Sequence, residues 1–132
     1  VFVVGFSRGT VDAGAYAKRY PETIAGIVLA SGIYTNTSYK ASDYSMEIVV
    51  GKKIKVPVLI AHHVEDECRV TEFGYAKAFF DQLSAPRKNI LSYTAGSPSG
   101  RQCGPYHYHG FEGIEREVAI GIADWVVFNS GR

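Results

Sequence analysis

The sequence is short of several things, and each shortage narrows the reading. It has no apolar run near the roughly 18 residues of a membrane-spanning helix, which excludes a membrane span of that kind. It has no surplus of charge: 14 lysines and arginines stand against 13 acidic residues, for a net charge of +1. The densest basic run, Lys52-Lys53-Ile54-Lys55, is too brief to track a phosphate backbone, and no basic stretch interleaves with aromatics. Nucleic acid and charged membrane surfaces are therefore not expected partners. There is no internal repeat and no low-complexity segment. There is no starting methionine either; the chain opens directly on the apolar run VFVV. That opening is expected of a piece cut from a longer chain, and it leaves targeting unreadable.

Histidines number four and cysteines two. Any imidazole chemistry must therefore come from His62, His63, His107 or His109, and any bridge from Cys68 and Cys103. A metal reading of His62, His63, Asp66 and the late histidines lacks zinc-type spacing such as C-x2-C or H-E-x-x-H. No glycine pattern for a dinucleotide or a nucleoside triphosphate is present, so no cofactor is expected.

The 132 residues suit one domain, with an ordinary globular balance of 46% hydrophobic and 20% charged residues. Val1–Val4 reads as a strand buried on both faces, as in parallel sheets. Arg8–Tyr20 favours helix, with Val11 and Ala15 on its inner face, and Pro21 stops it. Ile24–Ala30 is a second strand. Residues 31–55 form a long, tyrosine-rich connection with one short helix. Val56–Ala61 is a third strand, Pro57 being tolerated near its start. Residues 72–83 repeat apolar positions at helical spacing (Phe73, Ala76, Phe79, Phe80, Leu83). Asn89–Tyr93 is a fourth strand. A loop rich in glycine, serine and proline then leads to a last helix over 112–128, carrying Ile114, Val118, Ile122, Trp125 and Val126. Phe73, Phe79, Phe80 and Trp125 are expected core residues. This alternation predicts an α/β fold: a mostly parallel sheet of about four strands with about three flanking helices, and ligand sites at the carboxyl ends of the strands.

Gly5-Phe6-Ser7-Arg8-Gly9 matches G-x-S-x-G between a strand and a helix. Such a turn strains the serine and lifts its hydroxyl above the sheet, with glycines where side chains would collide. A serine hydroxyl is a weak nucleophile unless a base stands beside it and an acid orients that base. The acid is expected in VLIAHHVEDECR, past the end of the third strand. Asp66 is the first choice there, with Glu65 and Glu67 as rivals. The base is expected in HYHGFEG, before the last helix, because histidine titrates near neutrality. His109, before the Gly110-Phe111 turn, is preferred over His107. His62 and His63 are expected to line the site or to satisfy hydrogen bonds there.

GFSRGT, VLIAHHVED and HGFEGIEREVAIGIADWV together resemble the C-terminal half of an α/β-hydrolase-fold serine hydrolase, and the resemblance covers essentially the whole chain. The order serine, acid, histidine is that family's order. The resemblance implies a serine hydrolase of carboxylic esters or related small acyl compounds. Ser7 would be the nucleophile, His109 the base and Asp66 its orienting acid, and the Arg8 N–H one oxyanion-hole donor. Acyl transfer and peptide cleavage would use the same residues. A non-catalytic binding protein on the same fold, or an unrelated phosphate-binding α/β domain, are the competing classes. The resemblance also implies that VFVV is the fifth strand of a longer sheet. Residues 1–132 would then be the C-terminal portion of one domain, with the first strand's outer edge unpaired and the second oxyanion donor outside these residues. On that reading the isolated chain would be a poor catalyst.

If Asp66 orients His109, their loops touch, and Cys68 and Cys103 come within bridging distance. A disulfide there would imply a periplasmic or secreted location; without it a cytoplasmic one is open. Phe6 flanks the nucleophile as a candidate substrate contact. Arg8 would steer an acidic substrate or pair with a surface carboxylate. Tyr34, Tyr39 and Tyr44 are candidate pocket walls.

Overall fold

The computed structural model describes residues 1–36 and 44–130. Tyr39 lies outside them. Four strands run β1 (Phe2–Phe6), β2 (Gly26–Ala30), β3 (Val58–His63) and β4 (Lys88–Tyr93). They form one all-parallel sheet in the order β1-β2-β3-β4. Helices among the described residues are α1 (Gly9–Arg19), α2 (Met46–Val49), α3 (Phe73–Gln82) and α4 (Glu115–Phe128), with single 3-10 turns at Pro21–Thr23 and Tyr108–Gly110. The α/β expectation holds, and α2 is the one short helix expected in the long connection.

Period-two alternation divides the core between the two faces of the sheet. Ile27, Leu29, Val58 and Ile60 pack with Val11 and Ala17 of α1, Met46 of α2, and Ala76 and Phe79 of α3. Val28 and Leu59 point the other way, onto Trp125 of α4. Ala30 and Ala61, further along the same face, meet Phe111, Ile114 and Val118. The two central strands are buried at every residue, which is why both read as continuous apolar runs. Small residues at Ala13, Gly14 and Ala17 let α1 approach closely, and Gly14 faces the Met46 side chain.

Two expectations need correction. β1 is not buried on both faces: Val4 is 56% exposed and Phe6 44%. Among the described residues β1 has β2 as its only strand neighbour, so it is an edge of this sheet. The inner face of α1 is carried by Val11 with Thr10, Ala13, Gly14 and Ala17, and Ala15 is only partly buried. The true repeat is i, i+3, i+4, i+7 from Thr10, which small residues mask in a hydrophobicity reading.

Candidate active site

All four strands end at the same rim, and four loops leave from it. The first is the turn between β1 and α1. Ser7 there has φ 56°, a left-handed conformation uncommon for any residue with a side chain. The turn is pinned: the Ser7 N–H donates to the Ala30 carbonyl at 2.8 Å, and the Ser7 carbonyl accepts from the Thr10 N–H and hydroxyl at 3.0 and 2.7 Å. Only one of the two flanking glycines is required by space. A Cβ on Gly5 would lie 2.3 Å from the Gly9 carbonyl oxygen, whereas a Cβ on Gly9 would meet nothing within 4 Å. Gly5→Ala is therefore expected to cost about 3 kcal/mol, the upper range for forcing atoms into a packed site. Gly9→Ala, in the first turn of α1, is expected to be neutral or to stabilise by up to about 1 kcal/mol. Urea unfolding of the two variants checks this; equal losses would contradict it.

The second loop follows β3. Asp66 is 5% exposed, and its two rivals Glu65 and Glu67 are exposed. The Cys68 N–H donates to Asp66 Oδ1 at 2.9 Å, and the Thr71 hydroxyl donates to Oδ2 at 3.0 Å. Burial pushes the Asp66 carboxyl up. Hydrogen bonds from His109 and His62, the charge on His109 and the Cys68 N–H outweigh that push and hold it at about 2. Asp66 is a carboxylate at neutral pH.

The third loop brings His109. Its Nδ1 lies 2.9 Å from Asp66 Oδ2, and its Nε2 lies 3.1 Å from Ser7 Oγ. The acid on Nδ1 fixes the tautomer: Nδ1–H donates to the carboxylate, leaving Nε2 to accept the Ser7 proton. The fourth loop, after β2, holds this one in place, because the Ser31 hydroxyl donates to the His109 carbonyl at 2.7 Å. The Phe6 ring lies 5.2 Å from the imidazole, centre to centre. Ser7, Asp66 and His109, far apart in sequence, thus form one chain of hydrogen bonds at the carboxyl rim. Phe6 and the Arg8 backbone stand beside it. Among the described residues no turn, loop or cap acceptor takes the Arg8 N–H.

The remaining candidates lie off the path from Ser7 through His109 to Asp66. His107 Nε2 lies 3.4 Å from Glu67 rather than near Ser7. His63 is buried and satisfied: its Nδ1 accepts from the Glu65 N–H at 2.9 Å and its Nε2–H donates to the Ala95 carbonyl at 2.7 Å. His62 is buried behind Asp66, with Nε2 2.5 Å from the Thr71 carbonyl and 3.4 Å from Asp66 Oδ2. The Arg8 guanidinium makes no ion pair with a described carboxylate; it lies over the Tyr44 ring at 5.1 Å. Tyr34 does not wall a cleft at Ser7. It is 1% exposed, with its ring against Phe79 at 4.9 Å and His62 at 6.2 Å, and burial pushes its phenol up. It borders a cavity of about 130 Å³ together with Tyr75, Phe79, Glu47 and Lys52, and neither Ser7 nor His109 lines that cavity.

Cys68 and Cys103 form a disulfide that ties the Asp66 loop to the loop leading into His109. Thr71 and Ser31 had no signal in the sequence. Each is an ordinary hydroxyl in a polar segment, and only the convergence of the loops gives it a partner.

No family model matches the sequence, and no curated protein matches it. The fold has clear likenesses among solved structures. It superposes on the dienelactone hydrolase of Anabaena variabilis over 98% of this chain, with a TM-score of 0.64 and 19% identity. The monoacylglycerol lipase of Paleococcus ferrophilus gives 0.66 over 97% at 16% identity, and the esterase domain of a Rhodothermus marinus protein 0.65 over 95% at 14%. The chain has a partial α/β-hydrolase fold. It spans 49% of the dienelactone hydrolase, 68% of the lipase and 58% of the esterase domain. Ser7 stands in the turn between β1 and α1, and the order serine, acid, histidine along this chain is the order that fold uses for a triad. No helix among the described residues is long and apolar enough to cross a membrane.

Proposed function

We propose that the whole protein is a serine hydrolase of carboxylic esters or related small acyl compounds, acting through Ser7, His109 and Asp66. One observation carries the reading: the unbroken path from Ser7 Oγ through both imidazole nitrogens to a buried carboxylate. The hydrolase, lipase and esterase named above share the fold and so support the reaction class.

In the proposed reaction His109 Nε2 takes the Ser7 proton as Oγ attacks the acyl carbon. The developing oxyanion receives the Arg8 N–H, a donor fixed by the strained turn. The imidazolium, stabilised by Asp66, then protonates the leaving alcohol, and an acyl-Ser7 ester remains. Water, deprotonated by the same nitrogen, cleaves that ester and returns the proton to Ser7. Phe6, beside the imidazole and 44% exposed, gives the acyl or alcohol group an apolar surface. The disulfide favours an oxidising compartment, periplasmic or extracellular, for the protein.

The test is turnover of a short-chain p-nitrophenyl ester by the whole protein. Ser7→Ala is expected to lower kcat by on the order of 10⁶-fold. Undiminished turnover in Ser7→Ala would remove the nucleophile and with it this reading.

A further inference from the structure

We infer that Thr71 is a positioning residue for the reaction, a hydroxyl that holds the Asp66–His109 pair in register with Ser7; the inference rests on the function proposed above. Thr71 is wholly buried. Its hydroxyl donates to Asp66 Oδ2 at 3.0 Å and lies 3.0 Å from His109 Nδ1, while Nδ1 and Oδ2 are 2.9 Å apart. The three atoms form a nearly equilateral triangle. The Nδ1–H therefore faces two acceptors, the carboxylate oxygen and the threonine oxygen. An imidazole held by one acceptor can swing about that single bond; an imidazole held between two cannot without losing one. A swing at Nδ1 moves Nε2 off Ser7 Oγ, and small misplacements of a base are costly to rate.

Thr71 is itself anchored at both backbone groups. Its N–H donates to the Cys68 carbonyl at 3.0 Å, and its carbonyl receives His62 Nε2–H at 2.5 Å. His62 Nδ1 has no partner among the described residues. The path therefore runs from β3 through His62 to Thr71 and from Thr71 to both members of the pair. Loss of the hydroxyl removes a donor to a buried carboxylate, the stronger class of hydrogen bond.

The experiment compares Thr71→Val, which keeps the shape without the hydroxyl, with Thr71→Ser, which keeps the hydroxyl, in the whole protein. On a p-nitrophenyl ester, Thr71→Val is expected to lower kcat about tenfold with KM within about twofold, the size of one such bond. Thr71→Ser is expected to retain kcat within about threefold. Thr71→Ala, also without the hydroxyl but free of a buried methyl clash, is expected to match Thr71→Val, so that a folding defect in one variant does not decide the matter. Full kcat in Thr71→Val and Thr71→Ala would overturn the inference, as would Thr71→Ser losing as much as Thr71→Val. Ser7→Ala is measured alongside. If Ser7→Ala is inactive and Thr71→Val fully active, the inference alone falls; if Ser7→Ala retains turnover, the underlying function falls first.

Discussion

His109→Ala is expected to lower kcat for ester hydrolysis by on the order of 10⁶-fold, as removal of the base from a serine–histidine–acid unit does. The reason is the isolation of Ser7 Oγ. Among the described residues its side-chain partner is His109 Nε2, at 3.1 Å. His107, the nearest histidine in sequence, is occupied with Glu67 and cannot substitute. KM should change little, because the imidazole is asked to act on the transition state and not on the bound ester. His107→Ala is the control and should lose far less kcat than His109→Ala, because the His107 ring is buried against Tyr108 and its Nε2 faces Glu67, not Ser7. Asp66→Asn should fall between them, at about 10⁴-fold, because an amide can favour the wrong imidazole tautomer. Steady-state kinetics of the three variants read the order directly. Equal, small losses in His109→Ala and His107→Ala would contradict the assignment of the base.

Removing the bridge by Cys68→Ala together with Cys103→Ala is expected to cost about 4 kcal/mol of stability, the chain-entropy value for the 35-residue separation. The effect should extend past stability. The bridge holds Cys68, whose N–H donates to Asp66 Oδ1, and it anchors the loop that delivers His109. kcat should therefore fall under conditions where the variant remains folded, while a bridge elsewhere on the surface would leave it unchanged. Urea unfolding with activity assayed below the transition separates the two effects. A loss under about 1 kcal/mol with unchanged kcat would mean that the bridge neither closes a costly loop nor supports the site.

Much of this was legible in the residues because local chemistry and global fold agree here. The central strands are continuous β-branched and leucine-rich runs, and α3 and α4 show their apolar faces at helical spacing. The elbow was legible because strand, G-x-S-x-G and small-residue helix are adjacent in sequence. Asp66 was legible as a candidate because it follows β3 by a short loop, and His109 because it stands just ahead of the last helix, before the Gly110-Phe111 turn. What was hidden depends on distance in space. β1 carries the composition of a buried strand, yet Val4 and Phe6 are half open, because burial is set by neighbours and not by the strand itself. Tyr34 has an amphipathic side chain that suits a pocket wall as well as a core, and it serves as both: it packs on Phe79 and His62 and borders the cavity that neither Ser7 nor His109 lines. Gly9 looked as necessary as Gly5, and only the Gly9 carbonyl packed against Gly5 separates them. Thr71 and Ser31 acquire their partners from loops that meet across sequence separations of 38 and 78.

The central claim is that Ser7 Oγ is the atom that attacks. Peptide mapping by mass spectrometry after the whole protein reacts with a fluorophosphonate tests it most directly. One phosphonyl group on the peptide containing Gly5-Phe6-Ser7-Arg8-Gly9, absent after Ser7→Ala and strongly reduced after His109→Ala, is the predicted result. A phosphonyl group on any other residue, or stoichiometric labelling that survives Ser7→Ala, would contradict it.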